Sequence, residues 1–227
     1  MLTIDHLSAS YGNLQILHDI HLTVQPGERV GIFGHNGAGK TSLLKCCVGE
    51  LKPLLGSVHW MGELVNASRV ELNVRRGIGF VPQGHNVFKD LSVKQNLRIA
   101  ALMHEVSKLD DVFELFPILK DRQDQRAQSL SGGQQQMLAL GMSLMGRPQM
   151  LLLDEPTTGL APIIVKEMLQ AIHQSSLSHG TSVLIVEQNV QATLAHVDRA
   201  IVMKQGRVIF DDDAKKLREQ QSLWHLF

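Results

Sequence analysis

Eight residues, Gly34-His35-Asn36-Gly37-Ala38-Gly39-Lys40-Thr41, constrain this chain more than any other stretch. They fit the spacing Gly-x-x-x-x-Gly-Lys-Ser/Thr, and their surroundings agree: Val30-Gly31-Ile32-Phe33 reads as a short buried strand, and Thr41 onward as a helix. The strand delivers the chain to a sheet edge, and the glycines let it turn with φ > 0. The following amides then face an anion with no Cβ in the way. A helix N-terminus completes the cradle. The loop from Gly34 to Thr41, with Ser42 beside it, is therefore expected to bind a nucleotide, Lys40 reaching the β- and γ-phosphates and the Thr41 hydroxyl sitting on Mg²⁺.

The chain has 227 residues, enough for one large α/β domain or a core with an inserted lobe. Lys plus Arg and Asp plus Glu are 22 each, which gives no argument for nucleic acid or anionic lipid as a partner. Met1-Leu2-Thr3-Ile4-Asp5 lacks the basic and apolar run of a signal peptide. No apolar stretch approaches the ~18 residues of a membrane span. Cys46 and Cys47 are neighbours on a predicted helix and cannot staple the fold, so a reducing cytosol is the expected compartment. Eleven histidines, His18 and His21 among them, lack metal-ligand spacing and read as structural.

Leu2 to Leu7 and Ile20 to Val24 read as strands, with turn chemistry over residues 8–13. Leu43, Leu44, Cys47, Val48 and Leu51 share a helical face that Pro53 stops. Residues 56–65 suggest an antiparallel edge hairpin turning at Met61-Gly62. Gly79 to Gln83 is a strand. Ser92-Val93-Lys94-Gln95 is a capping box for a helix to about His104, and Asp110 to Leu119 a second helix, interrupted by Pro117. Met150 to Glu155 is a continuous apolar run ending in two acids, as a strand covered on both faces should be. Pro162 opens a helix with Ile164, Val165, Met168, Leu169 and Ile172 inward, and Gly180 ends it. Ser182 to Glu187 is another buried strand, and residues 200–210 form a hairpin. The tail from Asp213 reads as an amphipathic helix with Leu217, Leu223, Trp224 and Phe227 inward. One domain, 1–227, is expected: a nucleotide-binding core of 1–85 and 147–227, with a helical subdomain of 86–146 inserted.

Hydrolysis needs more than a phosphate loop. Asp154, at the end of a buried strand, is placed to hold Mg²⁺. Glu155 can act as general base, and Gln83, on another strand end, can bridge metal and attacking water. In Leu130-Ser131-Gly132-Gly133-Gln134, Ser131 reads as an N-cap and the glycines leave the first helical amides uncovered. A second anion-binding helix start is odd for a self-contained site.

Together these motifs resemble the ATP-binding-cassette (ABC) ATPases over essentially the whole chain. Gly34 to Thr41 matches the family's Walker A motif, Gln83 its Q-loop, Leu130 to Gln134 its LSGGQ signature, and Leu151 to Glu155 its Walker B motif with the catalytic glutamate. The resemblance implies an α/β P-loop core with a mixed sheet, an antiparallel β edge and an inserted helical subdomain. It implies ATP and Mg²⁺ as cofactors, with Thr41, Gln83 and Asp154 around the metal. Two cassettes would dimerise head to tail, each ATP held between one phosphate loop and the Ser131, Gly132, Gly133 and Gln134 of the other. Tyr11, the single tyrosine, would stack on adenine.

Two positions depart from the family pattern. Gln188 stands where a histidine usually contacts the γ-phosphate, and Ala161 where many relatives have aspartate. An amide can donate a hydrogen bond but carries no imidazolium charge. These departures, with Val81-Pro82-Gln83-Gly84 and Val186-Glu187-Gln188-Asn189, are similar to the ATPases of branched-chain amino-acid importers and their urea and amide relatives. The resemblance therefore implies an ATPase at the cytoplasmic face of a bacterial-type inner membrane, tethered by permease subunits, paired with an identical or a similar cassette, and served indirectly by a solute-binding protein. An ABC-type ATPase acting on DNA is the alternative of another class, but no long heptad coiled coil is present. A purely regulatory nucleotide module is disfavoured by Lys40, Gln83 and Glu155 together.

Overall fold

The computed structural model describes residues 1–66, 68–84, 86–102 and 109–219. Strands β1 (Leu2–Tyr11) and β2 (Leu14–Val24) form a hairpin through Gly12 and Asn13, with Gly12 at φ 57. Ser8, Ala9 and Ser10, which read as turn residues, remain in β1. That strand is paired on both edges, with β2 and with residues 55–60, and Ala9 is fully buried. Small residues here permit close packing rather than a turn.

After β3 (Arg29–Phe33), α1 (Lys40–Val48) ends sooner than its apolar pattern, which reaches Leu51. Gly49 takes a left-handed conformation and terminates the ladder before Pro53. Strands β4 (Leu55–Trp60) and β5 (Glu63–Leu64) are the hairpin expected around Met61-Gly62. The short α2 (Val70–Arg75), too brief to show a periodicity, precedes β6 (Ile78–Val81). A complete capping box opens α3 (Val93–Ala101): Gln95 N donates to Ser92 Oγ at 3.2 Å, and Ser92 N to Gln95 Oε1 at 2.8 Å. Its expected extension to His104 lies outside the described residues. Helices α4 (Leu109–Leu115), α5 (Pro117–Asp121) and α6 (Gly132–Leu144) follow. Between residues 82 and 149 the described residues contain no strand, only an isolated bridge from Ser92 to Arg126.

The remaining elements are β7 (Met150–Asp154), α7 (Pro162–His179), β8 (Ser182–Val186), α8 (Val190–Leu194), β9 (Arg199–Lys204), β10 (Arg207–Asp213) and α9 (Ala214–Glu219). Gly180 caps α7 at φ 67, and Leu217 of α9 is buried. Leu223, Trp224 and Phe227 lie outside the described residues.

The strands form two sheets. One is antiparallel, β2-β1-β4-β5, with the hairpin at its edge; the other runs β10-β9-β3-β8-β7-β6, parallel from β9 to β6 with β10 antiparallel. Period-two alternation divides the core across the second sheet. Leu152, Leu184 and Ile32 pack with α1 and the antiparallel sheet, whereas Leu151, Leu153, Val183 and Ile185 pack with α3 to α7. Each such side chain contributes about 2 kcal/mol by leaving water. Because neighbouring parallel strands are in register, Ile32 against Val186, Asp154 against Val186 and Val81 against Leu153, they end together at one carboxyl edge. Open parallel sheets bind ligands along that edge.

Candidate active site

The loop leaving β3 takes a conformation that side chains would obstruct. At Gly34, φ is 145 and an added Cβ would run into the Met203 carbonyl; at Gly39, φ is 99 and the Cβ would stand 2.8 Å from Leu17 Cδ2. The hairpin joining β9 to β10 braces the loop from outside, since Gly206 N donates to Ala38 O at 3.0 Å and Gly206 O accepts from His18 N at 2.9 Å. Gly39 is the N-cap of α1 and supplies no side-chain cap, which leaves the helix start to a ligand. Lys40 is buried, its Nζ donating to the carbonyls of Gly34 at 2.7 Å and His35 at 3.1 Å. Burial lowers its pKa, opposed by the charges of Glu155, Asp154 and Glu187.

A cleft of about 350 Å³ opens over this loop, lined by Asn36, Gly37, Gly39, Lys40, Thr41 and Ser42 together with Gln83, Glu155 and Gln188. Three strand ends thus meet the phosphate loop as their register requires. Thr41 Oγ1 donates to Asp154 Oδ1 at 3.1 Å. Burial pushes the Asp154 carboxyl up, partly offset by that hydrogen bond. Glu155 lies 3.9 Å from Lys40 Nζ and accepts from Gln83 Nε2 at 3.1 Å, from Thr158 Oγ1 at 3.3 Å and from Gln188 Nε2 at 2.8 Å. The same Gln188 nitrogen reaches Asn36 Oδ1 at 2.8 Å. Gln188 therefore bridges the phosphate loop and Glu155, a contact the sequence did not disclose.

Glu155 itself sits at φ 48, a left-handed conformation costing about 1–2 kcal/mol for a side-chain-bearing residue. Its amide donates to Val186 O at 2.9 Å, holding the turn against β8. A third carboxylate carries no site role in the sequence analysis: Glu187, 1 % exposed, accepts from Thr157 N at 2.8 Å and Thr157 Oγ1 at 2.7 Å. Burial raises its pKa, and the Thr157 hydrogen bonds oppose the rise. Its only sequence signal was an acid ending a buried apolar strand.

Other expected site residues stand apart. Ser131 caps α6 in a capping box, with Gln134 N donating to Ser131 Oγ at 3.3 Å and Ser131 N to Gln134 Oε1 at 3.0 Å. Gly133 lets α6 pack on α7, where an added Cβ would meet Ile164 Cγ2 at 2.9 Å. None of Ser131, Gly132, Gly133 and Gln134 lines the cleft. Tyr11 is exposed at the end of the β1–β2 hairpin, and the apolar side chain lining the cleft is Ile16. His35 lies exposed in the loop and Ala38 is buried beneath it.

A glycine loop between a parallel strand and a helix, closed over by carboxylates from neighbouring strand ends, defines a P-loop nucleoside triphosphate hydrolase. The family model described as ABC transporter matches residues 17–158. The chain belongs to this family as an ATP-binding subunit that hydrolyses ATP to drive transport, in agreement with the resemblance read from its motifs. It is 41% identical over 221 residues to the high-affinity branched-chain amino acid transport ATP-binding protein BraG of Pseudomonas aeruginosa, covering 96% of this chain and 94% of that protein. A probable branched-chain amino acid transport ATP-binding protein, LivF, of Archaeoglobus fulgidus is 34% identical, covering 97% and 95%. The structure of CbiO1 from Clostridium perfringens, part of an ABC transporter complex, superimposes with TM-score 0.83 at 27% identity, covering 99% of this chain and 92% of that one. No helix among the described residues is long and apolar enough to cross a membrane.

Proposed function

We propose that this chain powers an importer for branched-chain amino acids or a related small polar solute, paired head to tail with a second cassette beneath permease subunits at the cytoplasmic face of the membrane. The observation that carries the solute reading is the likeness to BraG, which spans nearly the full length of both chains. The paired arrangement is supported by Ser131, whose capped helix start does not line the cleft of its own subunit.

In this reading the amides of residues 34–41 and the start of α1 hold the ATP phosphates, and Lys40 exchanges its carbonyl partners for the β- and γ-phosphates. Thr41, Asp154 and Gln83 offer hard oxygen donors. No cluster of three or more His, Cys, Asp or Glu side chains suited to a metal occurs among the described residues, so a metal here would complete its shell with phosphate and water, as Mg²⁺ does. Bound there, Mg²⁺ would offset the charge developing on the phosphate oxygens. Glu155 takes a proton from the attacking water, whose oxygen bonds to the γ-phosphorus as the bond to ADP breaks. Gln83 and Gln188 aim the Glu155 carboxylate, and Ser131 of the partner subunit supplies the facing anion site. Residues 86–146 act as a lobe turning against the core. Between α2, β6, α3 and α6 lies an apolar groove of about 350 Å³, where Ser143 Oγ has no hydrogen-bond partner among the described residues; in this reading it receives side chains of a permease helix.

Uptake of labelled leucine, isoleucine and valine by cells carrying this chain with its permease tests the solute. Deletion should abolish it, and Glu155→Gln should bind ATP while turnover falls at least ~100-fold. Undiminished hydrolysis in Glu155→Gln would remove Glu155 as base. Loss of urea or amide uptake alone would transfer the chain to that solute class.

A further inference from the structure

The turn after β7 carries Glu155 in its left-handed conformation, and that conformation is held from both sides. On the N-terminal side the Glu155 amide donates to Val186 O. On the C-terminal side Thr157 N and Oγ1 both donate to Glu187 Oε1, at 2.8 and 2.7 Å. Glu187 is itself fixed: its amide donates to Ile32 O at 3.1 Å, extending the β8–β3 ladder, and its second oxygen accepts from Gln188 N at 3.2 Å. The buried carboxylate therefore ties together the backbone of Gln188 and the first residue of the loop 157–161 that leads into α7, while the backbone amide of the same residue anchors both to the end of β3 that feeds the phosphate loop. A hydroxyl or a backbone amide could have stabilised any one of these alone. A charged group buried to 1 % exposure is expensive and survives only because all its donors are in place.

We propose that Glu187 is a positioning residue for hydrolysis: through Thr157 and Gln188 it fixes the orientation of Glu155 and the path of loop 157–161 as one unit, so that the base and the loop cannot move independently. Glu187 does not line the cleft, and its carboxylate touches only protein donors. Its removal should therefore cost turnover and leave nucleotide affinity in place. Thr157 is the sensitive reporter, because its methyl group is dispensable in this contact and its hydroxyl is not.

The inference rests on Glu155 as base, and measuring Glu155→Gln beside the other variants separates the two. Full-length chains carrying Glu187→Ala, Glu187→Gln, Thr157→Val, Thr157→Ser and the double Glu187→Ala/Thr157→Val are compared by kcat, KM for ATP and binding of a fluorescent ADP. Thr157→Val and Glu187→Ala should each lower kcat at least tenfold with KM and ADP binding within twofold. Thr157→Ser should restore kcat to within threefold of the unsubstituted chain. Glu187→Gln, which keeps one carbonyl acceptor for Thr157, should fall between Glu187→Ala and the unsubstituted chain. The double variant should be no slower than Glu187→Ala alone, since the one contact that Thr157→Val removes is already absent without the Glu187 carboxylate. Should Glu187→Ala fail to fold, the Thr157→Val and Thr157→Ser pair decides alone. A Thr157→Val enzyme with kcat within twofold of normal, or one in which kcat, KM and ADP binding decline together without rescue by serine, would overturn the proposal while Glu155→Gln still tests the base.

Discussion

The side-chain nitrogen of Gln188 lies 2.8 Å from both oxygens of Glu155, so a neutral amide, held just beyond β8, aims the acid that follows β7. An amide does this without a titration of its own. Gln188→Ala should lower kcat roughly 100-fold, the size of effect seen when one preorganised hydrogen-bond donor is lost. Gln188→His should introduce a step in kcat near pH 6.5 that the natural residue lacks. Rates measured from pH 5.5 to 8.5 on the three chains check both; a steep natural step near pH 6.5 that vanishes only when Gln188 is replaced would contradict them.

The base of the second sheet carries a separate pH dependence. His196 is partly buried, its ring 6.1 Å edge-on from that of His173, and Arg29, hydrogen-bonded to His173 and paired with Asp198, faces the same cluster. Burial, and then the Arg29 charge, hold the His196 pKa below its ordinary value of 6.5. Below pH 6.5 the unfolded chain therefore binds more protons at this position than the folded one, so stability falls as pH falls. His196→Gln should flatten the melting temperature against pH as the pH falls below 6.5, relative to the unsubstituted chain. Parallel curves for the two chains would refute this.

Ala161 precedes α7 as its N-cap with extended backbone angles and no side-chain hydrogen bond. Pro162 has no amide and Ile164 N already donates to Ala161 O at 2.9 Å, so aspartate there can accept from Ile163 N and adds a charge of the favourable sign. Ala161→Asp should raise stability by about 0.5–2 kcal/mol, or roughly 2–4 °C in melting temperature per kcal/mol for a chain of this size. A thermal melt without nucleotide measures it, and an unchanged or lowered midpoint would show that the cap does not form.

Cys46 and Cys47 are fully buried in α1. Burial pushes the Cys46 thiol up to about 12 and the Cys47 thiol well above its ordinary value. Thiolates are the reactive species, so neither residue should react with iodoacetamide at pH 8 in the folded chain. Mass spectrometry through a denaturant series should show both labelled together with global unfolding. Labelling of either one under native conditions would exclude this.

Legibility in sequence followed the range of the interactions. Ser92 with Gln95 and Gly180 carry their own capping chemistry, and the apolar run ending in Asp154 has only one environment that suits it, so local residues were enough for those elements. The length of β1 was not legible, because Ser8 to Tyr11 are held by strands that pair from residues 14–24 and 55–60. Helices α2 and α8 span six and five residues, too few for a periodicity to emerge. At the site, strand ends suggested Gln83 and Glu155, and the family resemblance alone implied Gln188 near the phosphate loop; strand register brings all three to one cleft. Which side chain each would face was hidden: the partner of Gln188 is 33 residues away and that of Glu187 is 30, and no spacing rule encodes an angle of approach across a sheet.

Helix α6 begins at the Ser131 cap and carries Met142 and Ser143, which line the apolar groove, near its far end. Its 13 residues make a rod about 20 Å long, packed along most of its length and stiff on the scale of side-chain motion. Pressure on one tip must therefore arrive at the other as displacement rather than dissipate in bending, which makes this helix a pushrod between the capped end proposed to meet the facing subunit's nucleotide and the groove proposed to meet the permease.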